Sequence, residues 1–121
     1  MTKSDFRDVI AEHLVGRRLS GVTFLMDYVQ LQFDPPPIIN ALTPITVRAG
    51  GRTAISGEDS FRNLLCEQIP KTVHSVSLVS GEELTLAFED TSTISLSLRK
   101  EHYVSPEAVN FYGPNHLCVI L

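Results

Sequence analysis

The chain has 121 residues, 43% of them hydrophobic and 20% charged, with a formal net charge of −4. That length suffices to bury about two-thirds of the unfolded surface in one domain, and the composition excludes intrinsic disorder. The acidic balance argues against nucleic acid as the main partner, and no apolar run approaches the roughly 20 residues of a membrane span. The charge is unevenly spread: residues 1–55 carry six Lys and Arg against five Asp and Glu, residues 56–121 four against nine. An acidic second half favours a basic partner; a solvated surface kept soluble by like charge is the plainer account.

At the start of the chain, Phe6, Ile10 and Leu14 recur at i, i+4 and i+8, the spacing of one helical face, behind a capping pattern of Thr2 with Asp5. Met1–Arg17 is charged and amphipathic, unlike a signal peptide. Leu19, Val22 and Phe24 then mark a strand. Val29–Asp34 alternates apolar with polar residues, the period of two of a strand with one buried face, and Met26-Asp27-Tyr28 reads as the turn between the two.

Asp34–Pro44 interrupts this order. Its consecutive prolines hold the chain extended and donate no backbone hydrogen bonds, so this stretch is not expected to form an interior strand. Ile38, Ile39 and Leu42 within it either close the core as a lid or are presented to a partner. Ile45-Thr46-Val47 follows as a third strand. Gly50-Gly51-Arg52-Thr53 reads as a flexible connector, since it lacks the Gly-Lys-Ser/Thr ending of a phosphate loop.

Phe61–Ile69 then aligns with Phe6–Leu14, sharing Phe, Arg and Glu at three places, behind a second capping pattern of Ser56 with Asp59. Val73, Val76 and Leu78 match Leu19, Val22 and Phe24, while Leu84–Glu89 matches Val29–Asp34 after a Ser80–Glu83 turn. Ile94–Leu98 supplies another third strand. The expected fold is therefore α+β: a duplicated helix-plus-three-strand unit, α-β-β-β twice, in a mostly antiparallel sheet. Two helices would pack on one face, and Leu117–Leu121 would add a C-terminal strand. The expected organisation is a single domain over 1–121, with pseudo-repeats at 2–49 and 56–99 and a C-terminal extension at 100–121.

Lys100–Pro114 concentrates charge, two of the three tyrosines, a histidine and a helix-start signal at Ser105-Pro106-Glu107. Tyr and His present an apolar body with a polar tip, which suits a binding rim; a structural cap is the competing account. The candidate binding residues are His102, Tyr103, Glu107, Phe111 and Tyr112, with Ile38, Ile39 and Leu42 of the proline-rich stretch.

No catalytic or metal motif emerges. His13, His74, His102 and His116 lack a second ligand at helical spacing, no glycine-flanked serine elbow is present, and the Glu58-Asp59, Glu82-Glu83 and Glu89-Asp90 pairs fall at a helix start or in turns. Cys66 and Cys118 sit among apolar neighbours and are expected to be buried free thiols in a reducing cytoplasm. No cofactor is indicated.

Asp27–Asp34, Phe61–Cys66 and Ser105–Phe111 together resemble a family of short bacterial proteins without assigned function. The resemblance spans nearly the whole chain, but its motifs are structural and carry no catalytic residues across. It implies a bacterial origin, and proteins of this type sometimes accompany toxins as immunity partners. The leading expectation is thus a non-enzymatic protein-interaction module, cytoplasmic and possible as a homodimer, with an immunity-like inhibitor as one form. The alternative is a small-ligand-binding or hydrolase-like protein with a pocket beside residues 100–114, using His102, Tyr103 and Glu107.

Overall fold

Alternating apolar residues commit much of this chain to strands, and the computed structural model, which describes residues 3–121, pairs them into two sheets. Helix α1 (Lys3–Leu14) is followed by β1 (Arg18–Phe24), β2 (Val29–Asp34), β3 (Ile38–Ala41), β4 (Ile45–Ala49) and β5 (Arg52–Ile55). Then come α2 (Phe61–Cys66), β6 (Val73–Val79), β7 (Glu83–Phe88), β8 (Thr93–Ser97), β9 (Val109–Tyr112) and β10 (Cys118–Ile120). One sheet runs β1-β2-β3-β9-β10 and the other β5-β4-β8-β7-β6. Every strand pairing in them is antiparallel. Each sheet joins a three-strand meander from one half of the chain to a two-strand hairpin from the other.

This architecture overturns the expected α+β fold of a helix-plus-three-strand unit laid out twice on a single sheet. The regular structure of the described residues is mostly strand, ten strands with two short α-helices. The helices do not share a face: α1 packs on β6, whereas α2 touches β4, β1 and β5.

The first cause is Ile38–Ala41, which is the central strand of its sheet. Pro35 and Pro36 are exposed in the preceding turn. Pro37 is buried, and its carbonyl accepts a bond from Phe33 N at 3.2 Å. The prolines thus end before the ladder begins. The third strand of the first meander is therefore β3, not Ile45–Val47, which belongs to the other sheet.

A second cause lies at Ser105. Its hydroxyl donates to Glu107 O at 2.7 Å and accepts from Glu107 N at 3.3 Å, closing a local turn where a helix start was expected. The chain then enters β9. A third is Gly50-Gly51, with φ of +57° and +78°, the two-residue turn whose twist suits a tight β4–β5 hairpin rather than a loose connector.

Helix α2 has six residues and ends well before the expected Ile69. Its N-cap is Ser60, without a side-chain bond; Ser56 Oγ instead accepts from Ile45 N at 2.8 Å, holding the lead-in segment to β4. The other expected cap rests on Thr2, which lies outside the described residues.

One continuous core draws on both sheets and both helices, including Ile10, Leu14, Leu31, Ile39, Leu65, Phe88 and Phe111, all buried. Full burial of each such side chain stabilises by roughly 1.5–3 kcal/mol. The sheets are stitched at a corner where β1 and β6 begin: Gly16 N donates to Val73 O, Val73 N to Arg17 O and Leu19 N to Lys71 O, each at 2.9 Å. Farther along, Arg7 Nε on α1 donates to Val76 O at 3.1 Å, occupying part of the edge of β6.

Candidate binding sites

The β3–β9 ladder brings together two segments singled out from the sequence: Ile39 faces Phe111 and Ile38 faces Tyr112. Ile39 and Phe111 are fully buried, and Phe111 meets the His13 ring edge-on at 6.4 Å. Ile38 and Leu42 are half-buried, with Leu42 N donating to Ala108 O at 2.8 Å. Tyr112 is the exposed member of the group. His102, Tyr103 and Glu107 go to three different surroundings. The exposed His102 holds Ser97 Oγ through Nδ1 at 2.6 Å. Glu107 Oε2 accepts from Asn110 Nδ2 at 2.6 Å. Tyr103 alone of the three lines a hollow.

That hollow is about 310 Å³ and is walled by Phe6 of α1, Leu78 of β6, Leu98, Tyr103, Ile120 and Leu121. Ser80, Gly81 and Lys100 complete its lining. Leu98 N donates to Glu82 O at 2.8 Å, and a one-turn 3-10 helix at Lys100–His102 then swings Tyr103 back toward the sheet. Arg99, the chain neighbour of Lys100, is taken by Glu82 and Glu101, whereas Lys100 has no ion-pair partner among the described residues.

A second, larger groove of about 500 Å³ lies beside the β1–β2 hairpin. Phe24, Leu25, Val29 and Phe61 supply apolar surface, and Glu58, Asp59 and Arg62 supply charge. The Arg62 guanidinium lies 5.4 Å from the Phe24 ring centre, a cation–π distance. At the hairpin tip Met26 is 96% exposed, followed by Asp27. From the sequence, Met26-Asp27-Tyr28 reads as an ordinary turn. The signal this reading passes over is Phe24-Leu25-Met26, three large apolar residues running into a turn where polar ones are usual.

Among the described residues no group of three or more His, Cys, Asp or Glu is placed to hold a metal ion. The cysteines correct another expectation, since both are exposed free thiols. Cys118 alternates with buried Val119 on β10, and Cys66 is the outward neighbour of buried Leu65 at the end of α2. Among the described residues no helix is long and apolar enough to cross a membrane.

No protein-family model, curated protein or solved structure matches the chain. The geometry of the two hollows therefore carries the functional reading.

Proposed function

We propose that the protein is a non-enzymatic interaction module that docks a basic, apolar-bearing segment of another protein in the groove beside the β1–β2 hairpin. The observation that carries this reading is the almost complete exposure of Met26 next to the partly exposed Phe24 and Leu25. Solvent contact at three adjacent large apolar side chains is unfavourable for an isolated chain and is relieved when a partner covers them. The charge around them sets the sign of that partner. Asp27, Glu58 and Asp59 outnumber Arg62, so a Lys- or Arg-flanked apolar anchor is matched and an acidic one is repelled. An inhibitor of a basic target, in the manner of an immunity protein, is one form this takes. Two exposed, unbridged thiols support a reducing, cytoplasmic setting.

Panning a random dodecapeptide phage library on the immobilised protein tests the reading. The expected winners carry Leu, Phe or Met beside Lys or Arg, weaken with salt, and bind Met26→Asp about tenfold less tightly. Selection of acidic or purely polar peptides, or winners that bind Met26→Asp unchanged, overturns it.

A further inference from the structure

We infer that the hollow between α1, β6 and Tyr103 is a binding site for a small amphiphile with an anionic head, such as a medium-chain carboxylate. This site lies apart from the hairpin groove and does not depend on the docking proposed there. Its volume of about 310 Å³ is at the small end of ligand pockets, and six of its lining residues are large and apolar. Phe6, Leu78, Tyr103 and Leu121 are only half-buried, so they keep apolar surface facing solvent in a concave setting. Such a cleft suits a tail, and each methylene placed in it tightens binding by about fourfold until the space is filled.

The head group follows from the lining. Arg99 is paired with Glu82 and, more loosely at 3.8 Å, with Glu101. Lys100, the next residue, lines the hollow and has no acidic partner among the described residues. An anionic head beside its ammonium gains a charge-assisted hydrogen bond; a neutral head gains less, and a cationic one is repelled. Lys100 is the cation in a lining that is otherwise mostly apolar, a composition that suits a fatty carboxylate.

The test is an NMR titration of the full chain with hexanoate, octanoate and octanol, all below micelle formation. Saturable amide shifts are expected at Leu78, Gly81, Lys100, Tyr103 and Leu121, with octanoate tighter than hexanoate. Lys100→Gln, an exposed change that leaves the walls intact, should weaken octanoate about fivefold and leave octanol unchanged. Met26→Asp should leave octanoate binding as it is, which separates this site from the docking groove. Absence of saturable shifts, shifts scattered over the sheets, or equal octanoate binding by Lys100→Gln overturns the assignment. Co-sedimentation with phosphatidylglycerol vesicles without binding of free octanoate also overturns it, and moves the anionic head to a membrane surface.

Discussion

Lys71 Nζ lies 2.8 Å from Gln68 Oε1, 2.9 Å from Ser92 Oγ and 2.8 Å from Asp90 Oδ2, so one ammonium ties the segment after α2 to the β7–β8 turn. Gln68 is fully buried and spends its other end on Leu64 O, at 2.8 Å, which leaves Lys71 as the link from the core to the surface. The hydrogen bond from Lys71, and then those from Ser92, hold the Asp90 carboxyl down from its ordinary 3.8 to about 2. A carboxyl whose pKa is depressed on folding stabilises above its unfolded value, and that contribution is lost as pH falls through the folded one. The stability difference between the native protein and Asp90→Asn is therefore expected to hold steady above about pH 5 and to shrink from there toward pH 2. Urea unfolding across that range reads it. A difference that grows on acidification would mean that the Lys71 contact is not what anchors Asp90. Because the Asp90 side chain is half exposed, solvent screening keeps the effect modest.

At the scale of single elements, the β4–β5 hairpin shows backbone conformation acting without packing. A Cβ built on Gly50 or Gly51 meets nothing within 4 Å, yet both residues sit at positive φ. Alanine at either place is therefore expected to destabilise by about 1 kcal/mol through strain alone. The urea midpoint should fall while the m-value stays constant; an unchanged midpoint would show that the turn relaxes to another type. Gly21 differs in kind, because its φ is not left-handed and a Cβ there would come within 2.5 Å of Gln32 Oε1. The same contrast between local and non-local causes explains which elements were legible. The alternation in Val29–Asp34 and Leu84–Glu89 reads directly as strand, and burial follows it in β2 and β7. The strands at Ile38–Ala41 and Val109–Tyr112 were hidden by flanking prolines and a helix-start signal, both of which act only up to the turn before the ladder.

For the whole molecule, the exchange of hairpins is the decisive feature. β9 and β10 complete the sheet begun by β1, β2 and β3, while β4 and β5 complete the sheet made by β6, β7 and β8. Neither half of the chain closes a sheet of its own. Cutting in the exposed turn at Gly57 should therefore give fragments 1–57 and 58–121 that each lack a dispersed amide spectrum, with native dispersion returning when they are mixed. Either fragment folding alone would show that the exchanged hairpins are dispensable. Pairings such as Ile39 with Phe111 close long loops, so folding is expected in the slow, strand-dominated regime.

Composition, strand periodicity, the apolar helical stripe and the lack of a catalytic motif are properties of short windows, and the residues alone determined them. Tyr103 could be singled out on the same basis, because an amphipathic side chain in a charged segment is a local fact. Which strand pairs with which was decided only in three dimensions. The extended apolar pattern of β3 suits an interior or an edge strand equally well, and it became interior because β9, some seventy residues later, presents a matching face. The same long-range closure set Phe6 and Tyr103 around one hollow and Phe24 beside Arg62. Both proposed sites arise where distant elements meet, at a range that neither side-chain period nor turn chemistry encodes.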